Sequence, residues 1–233
     1  KLKSVTFYYI FIGVGKQNAP FYLFIIVVRK IMKFITEQEI FWSKKFGNDY
    51  TKRNTNSNNR VNTIGRDLLK NNLKINSALE FGSNVGYNLD ALKIIFPNIK
   101  TYAVEINKKA YSICKKKHIC YNMSISDYKI EKKFDIVFTN GFLMHQNQKY
   151  LKKIYSKIYN YSKQYIYISE YFNPEPIMIN YRNNKDKLFK RDFAKEIWEI
   201  YPKLKLLDYG FHWKQDNFLK GNCDNHNWFL FRK

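Results

Sequence analysis

Between Leu79 and Gly86 the chain reads Leu-Glu-Phe-Gly-Ser-Asn-Val-Gly. A short apolar run ends on an acidic residue, and two glycines follow at a spacing of four. Tyr87-Asn88 then opens an amphipathic segment carrying Leu89, Leu92, Ile95 and Phe96. This order predicts a buried strand, a tight turn and a helix. Gly82 would allow a backbone angle or a close approach that a side chain forbids. Backbone N–H groups at the start of the helix would suit the polar groups of a nucleotide-like ligand.

The carboxylate of Glu80 narrows the ligand. It would repel a pyrophosphate, but it pairs well with an ammonium or with hydroxyls. A second strand, Lys100-Thr-Tyr-Ala-Val-Glu105, ends on another acidic residue about 25 positions on, the place where ribose hydroxyls are held in nucleotide-binding α/β units. A phosphate-free, positively charged nucleoside fits both carboxylates, and S-adenosyl-L-methionine is the candidate cofactor. The residues expected around it are Glu80, Gly82, Ser83, Asn84 and Gly86 in the first turn, with Glu105 and Ile106 at the second strand. Ser126 and Asp127, after the third strand, would sit where adenine lies, although a plain turn explains them equally well.

The rest of the chain supplies alternating elements. Strands are expected at 119–123, 134–139 and 165–169, and helices at 108–117 and 148–162. The run Phe134-Asp-Ile-Val-Phe-Thr139 is apolar, β-branched and aromatic, as a strand buried on both faces requires. Asn140 and Gly141 follow it at a carboxyl end, where open α/β sheets bind ligands. A helix over 189–201 then precedes two strands, 205–209 and 228–232, with no helix between them. The prediction is an α/β fold: a Rossmann-like, doubly wound, seven-stranded sheet, mostly parallel, with an antiparallel last strand.

Three regions surround this unit. Residues 1–31 contain two short apolar runs, each below the roughly 20 residues of a membrane span. No methionine precedes Met32, so these residues read either as translated upstream sequence or as a membrane-associating segment. Residues 32–60 begin with the capping-box pattern Thr36-Glu-Gln-Glu39, and an aromatic helix is expected to stop near Gly47. Asn48 to Arg60 is then either a solvated linker or a lid placing Tyr50 and Arg53 over the cofactor. The main domain spans 61–233, with an insertion at about 174–191 expected to roof the pocket.

Composition excludes some partners. In 233 residues the net charge is +22, with 45% hydrophobic and 18% aromatic content. Lysines are scattered and accompany abundant Asn, Ile, Tyr and Phe, the mixture an AT-rich coding sequence gives. The charge is therefore discounted as a sign of nucleic acid, and a membrane is expected only if 1–31 are native. Three cysteines without a Cys-x-x-Cys pair suit a reducing cytoplasm. Cys114, His118 and Cys120 lack a fourth ligand, so no metal site is expected.

Two sets of motifs carry a resemblance. Phe41-Trp-Ser-Lys-Lys-Phe46-Gly-Asn-Asp-Tyr50-Thr-Lys-Arg53-Asn54, Leu79–Gly86 and Thr139-Asn-Gly-Phe-Leu-Met-His145 form the first. Ile168-Ser-Glu-Tyr-Phe-Asn-Pro174, Tyr181-Arg182, Leu188-Phe-Lys-Arg-Asp-Phe193 and Asp208-Tyr-Gly-Phe211 form the second. The pattern resembles class I S-adenosylmethionine-dependent methyltransferases, and within them the methylases associated with pseudaminic acid biosynthesis. Asn84 stands where the usual first turn has a middle glycine. The resemblance covers about 32–233 and implies methylation of a sugar or nucleotide-activated sugar in surface-glycan synthesis.

A sugar hydroxyl is a weak nucleophile, so a general base is expected near it. His145 and Glu170 are the candidates, although His145 serves equally well as a helix cap. Tyr171 and Asn173, and in the insertion Tyr181, Arg182, Lys187 and Arg191, are candidate substrate contacts; the arginines suit a phosphate or carboxylate. An RNA or protein methyltransferase and a catalytically silent, cofactor-binding scaffold are the competing readings.

Overall fold

The computed structural model describes residues 36–53, 60–219 and 224–233. The expectations for 1–31 lie outside them. In chain order the elements are α1 (Glu37–Ser43), α2 (Lys45–Arg53), α3 (Ile64–Leu69), β1 (Ser77–Phe81), α4 (Tyr87–Ile95), β2 (Lys100–Glu105), α5 (Lys108–Cys114), β3 (Ile119–Asn122) and β4 (Phe134–Asn140). There follow α6 (Leu151–Tyr161), β5 (Ser162–Glu170), β6 (Ile177–Tyr181), β7 (Asn184–Lys190), α7 (Phe193–Ile200), β8 (Lys205–His212) and β9 (His226–Arg232). Short 3-10 turns stand at Arg60–Asn62, Leu143–His145 and Gln148–Tyr150.

Seven strands form one sheet in the order β3-β2-β1-β4-β5-β9-β8. All neighbours pair in parallel except β9, which runs antiparallel to both β5 and β8. The chain winds outward from β1 through β2 to β3, then returns to β4 on the other side of β1. The crevice at the carboxyl ends of β1 and β4 is therefore the topological switch point, where such sheets bind ligands.

The central strands are apolar on both faces because helices cover both. Every residue of β1 is buried. On one face Leu79, Phe81, Val137 and Ile166 pack with Ile154 and Ile158 of α6 and Ile197 of α7. On the other, Ala78, Ile136, Phe138 and Tyr167 pack with Leu68 of α3 and Leu89 and Leu92 of α4. Strand alternation would put Phe134 on the same face as Ile136. A register shift between those two residues instead sends Phe134 to the α6 face, as an extra residue in a strand does.

Three expectations differ from what forms. The helix expected from Phe189 begins at Phe193, because Asn184–Lys190 pair antiparallel with Ile177–Tyr181 and Phe189 faces Met178 across that ladder. The insertion is thus a hairpin, not an irregular roof. Its two central residues, Arg182 and Asn183, both have positive φ (48° and 64°), the geometry of a two-residue hairpin turn. Gly47 does not stop a helix. It lies inside α2, where a Cβ would stand 1.7 Å from the Trp42 carbonyl oxygen. Among the described residues, no helix is long and apolar enough to cross a membrane.

Candidate active site

A cavity of about 150 Å³ opens at the switch point. Its floor is the turn after β1. Gly82 adopts φ +75°, and a Cβ there would meet the Phe142 ring at 2.2 Å. Asn84, in the position of the usual middle glycine, takes φ +48°, a left-handed conformation that Asn tolerates better than most residues. Gly82, Ser83 and Asn84 border the cavity, together with Asn140 and Gly141 from the end of β4. Gly86 adopts φ +93° as the cap residue of α4 but does not border the cavity.

The two predicted carboxylates lie at the carboxyl ends of adjacent parallel strands, with Glu80 of β1 in register with Ala103, two residues before Glu105 of β2. Glu105 borders the cavity and is fixed by the N–H groups of Asn84 (2.7 Å to Oε2) and Asn107 (2.6 Å to Oε1). Burial pushes its carboxyl up to about 7 against these donors and the Ile106 amide. Glu80 is wholly buried beneath the lining. Asn88 donates to its Oε1 at 2.6 Å, while Oε2 has no partner. Burial pushes Glu80 up to about 8, opposed by that hydrogen bond and by the charge of Arg60.

Ile106, Met123 and Ile125 give the β2–β3 side of the cavity an apolar wall. Ser126 and Asp127, expected there, do not line it; they belong to the turn that follows. Ser124 bonds instead to the Glu39 carboxylate, so α1 reaches this edge. That contact joins 124 to a residue 85 positions away, which no local pattern announces.

The segment 32–60, expected to hold a helix and a linker or lid, contains α1 and α2. Thr36 and Glu39 form the capping box as expected. The two helices are tied to the β2 side by Asn107, whose Nδ2 donates to the Trp42 carbonyl (3.1 Å) and to Asn48 Oδ1 (3.0 Å). Thr51 donates to Asn84 Oδ1 at 3.3 Å. On the other side Gln38 donates to the Asp186 carbonyl (2.9 Å) and accepts from Asn147 (3.2 Å). Tyr50 lines the cavity as expected. Arg53 does not; its guanidinium lies 5.6 Å from the Phe46 ring centroid.

Trp42, His145 and Gln146 close the opposite end. His145 is buried in an aromatic cluster, 4.6 Å from the Trp42 ring and 5.1 Å from that of Tyr181. Its Nδ1 lies 2.6 Å from the Lys187 carbonyl of β7. A carbonyl only accepts, so Nδ1 carries the proton and Nε2 is left as a lone-pair acceptor. Burial holds the ring down at about 4, hence neutral near pH 7.

Glu170 is elsewhere. Its Oε1 accepts from the amides of Phe142 (3.1 Å) and Leu143 (3.0 Å), and its Oε2 from Met144 (3.3 Å). Burial pushes it up to about 7 against these donors. It anchors the turn that presents His145 and does not border the cavity. The expected substrate contacts are not on the lining either. Lys187 pairs with Glu37 (3.4 Å) and Arg191 with Glu196 (2.6 Å). Tyr171 donates to Asp224 and Asn173 to the Glu175 carbonyl. Arg182 is at the exposed hairpin tip, and Tyr181 backs Trp42 and His145. The hairpin therefore braces α1 and His145 without roofing the cavity. Among the described residues, no cluster of metal-ligating side chains forms.

Sequence reasoning missed Arg60, Asn88 and Asn107, which border the cavity. Asn107 had a local signal, since an Asn before a helix is a common cap and here accepts from Lys109 and Ala110. Arg60 had none.

No protein-family model and no curated protein matches the sequence. Solved structures do. An S-adenosylmethionine-dependent methyltransferase from Clostridium acetobutylicum is similar with TM-score 0.56 and 13% identity, over 80% of this chain and 97% of that one. A SAM-dependent methyltransferase from Archaeoglobus fulgidus gives TM-score 0.59 and 17% identity, over 81% and 100%. Magnesium protoporphyrin IX methyltransferase from Synechocystis with bound SAH gives 0.61 and 11%, over 84% and 100%. The chain has the fold of the class I S-adenosylmethionine-dependent methyltransferases.

Proposed function

We propose that this protein is an S-adenosyl-L-methionine-dependent methyltransferase whose acceptor is a sugar or nucleotide-activated sugar of surface-glycan synthesis. The observation that carries the cofactor is the placement of two buried carboxylates, Glu80 and Glu105, beside the turn from Gly82 to Asn84. Among the described residues Arg60 is the one Lys or Arg bordering the cavity, so its floor is unsuited to a pyrophosphate and suited to a cationic nucleoside. The cofactor would bring a methyl group already activated on a sulfonium.

Glu105 would accept from the ribose hydroxyls, Ile106, Met123 and Ile125 would flank adenine, and Gly82, Asn88 and Asn140 would meet the amino-acid arm. The acceptor would enter between Trp42, Tyr50 and His145. As its oxygen attacks, the hydroxyl proton would pass to His145 Nε2, the nitrogen that the Lys187 carbonyl leaves free. Placement and water exclusion by the tied lid supply the rest of the rate. The sugar class rests on the resemblance to pseudaminic acid-associated methylases and on the aromatic walls that suit a sugar ring. The cysteine pattern suits a cytoplasmic enzyme.

Calorimetry with S-adenosylhomocysteine, then methyl transfer to a panel of sugars, nucleotide sugars and RNA, tests the reading. The expected result is cofactor binding with transfer to a sugar. Salt-sensitive transfer to RNA would replace the acceptor class, and binding without any transfer would make the protein a scaffold.

A further inference from the structure

At the far edge of the sheet β8 pairs with β9, and among the described residues no strand covers its outer side. After a register shift at Leu206/Asp208 it stays paired with β9 through to His212. Its free edge is a row of backbone N–H and C=O groups, a ready template for a further strand. Side chains along it alternate. Asp208 turns to the α3 side, where it meets Lys70 at 2.7 Å and Asn71 at 2.8 Å. His212 is buried on that side, 2.9 Å from Asp67. Leu207, Tyr209 and Phe211, with Trp213 just beyond the strand, are 42%, 66%, 53% and 54% exposed. On this face α7 covers β9, where Trp198 meets Phe231. The Tyr209 ring stacks on Phe229 at 6.3 Å and its outer side is open. Edge strands are ordinarily blunted by proline or by charges, yet on this face of β8 Lys205 is the one charged residue.

We propose that this edge receives β8 of a second copy of the chain, antiparallel, about a two-fold axis at Gly210. The strand is self-complementary in that register. Tyr209 faces Phe211 of the partner subunit, Leu207 faces Trp213 of the partner subunit, and Lys205 faces Gln215 of the partner subunit. Each exposed apolar residue thus meets another, and glycine stands where the two backbones cross the axis. Moving the axis by one residue sets Trp213 against a lysine at 205, or Leu207 against a glutamine at 215. The two seven-stranded sheets become continuous, and the contact is the isologous kind that closes as a dimer.

Area and charge bear on the choice of occupant. At roughly 150–250 Å² per aromatic side chain, the open parts of the three rings come to about 350 Å². Leu207, Lys205 and the backbone edge bring this toward the roughly 600 Å² per partner of a small specific interface. The chain carries a net charge of +22, so two copies repel, and added salt screens that repulsion. Self-association therefore strengthens with salt. A polyanion held by the same face would be released by it.

Sedimentation velocity of the full chain from about 1 to 100 µM, where small interfaces associate, tests this in about 50 and 500 mM NaCl. The wild type is expected to pass from monomer to dimer, with more dimer at the higher salt. Tyr209→Lys should weaken association about tenfold or more and leave the circular-dichroism spectrum unchanged, since the side chain is exposed; Tyr209→Phe should preserve the dimer. Tyr209→Cys mixed with Phe211→Cys should form a disulfide-linked dimer under mild oxidation, beyond the level seen with the wild type or with either variant alone. A monomer at every concentration and salt, or a dimer untouched by Tyr209→Lys, would overturn the inference. So would association that appears only with an added RNA oligonucleotide or with anionic phospholipid vesicles and fades at the higher salt. None of these outcomes bears on the methyltransferase reading, which is tested by cofactor binding.

Discussion

Glu80 is a carboxyl whose burial works against the ligand-free fold. Its folded value lies near 8, above the unfolded carboxylate range. A group raised in this way gives its full relative stability below the unfolded value, and loses it as pH rises toward 8. Glu80→Gln keeps the hydrogen bond from Asn88 and never ionises. The variant should therefore match the wild type near pH 4 and exceed it at pH 9, by a few kcal/mol at about 1.4 kcal/mol per unit. Thermal melts at both pH values read this directly; equal melting curves at pH 9 would refute it. His145 is shifted the other way. Its Nε2 stays free to accept a proton at neutral pH, so His145→Gln should lower kcat by about 10²–10⁴ and leave S-adenosylhomocysteine affinity within twofold. Loss of binding instead of turnover would assign the residue to packing. At this scale the sequence was legible where chemistry follows a strand end, as at Glu80, Glu105 and His145. It was illegible for Arg60 and Ser124, whose positions are set by elements far away in the chain. Arg182, Lys187 and Arg191 misled because charge alone says nothing of partners, and Glu37 and Glu196 neutralise two of them.

Among the elements, the lid and the hairpin depend on each other. The lid's helices follow from the capping box and the aromatic spacing, but their docking follows from Asn107, Gln38 and Asn84, which a one-dimensional pattern does not join. Gly47 looked like a stop and is a contact point, with the Trp42 carbonyl and Asn107 Nδ2 packed where a Cβ would be. Gly47→Ala should displace α2 from α1 and raise the S-adenosylhomocysteine Kd about tenfold or more, while the melting temperature of the ligand-free protein changes by only a few degrees. Unchanged affinity would show that the lid does not shape the bound state. The hairpin was expected only as an insertion roofing the pocket, because Asn, Lys and Arg dominate it. Its first strand, Ile177-Met-Ile-Asn-Tyr181, has no clean apolar-polar period, and Leu188 and Phe189 join it only once paired.

For the whole molecule, the alternation of strands and helices was sufficient to predict the sheet, its parallel sense and the reversal of the last strand. The strand order was no part of that expectation and comes from the structure. That sheet brings β1 and β2 side by side and so sets Glu105 on the cavity wall and Glu80 beneath it, which is the central claim. Its most direct measurement is calorimetric titration with S-adenosylhomocysteine of the wild-type chain and of Glu105→Ala at pH 8. The account predicts saturable one-to-one binding by the wild type and a loss of about tenfold or more in the variant, as expected when a charged acceptor of two hydroxyl hydrogen bonds is removed. No binding by the wild type, or equal affinity for both proteins, would contradict it.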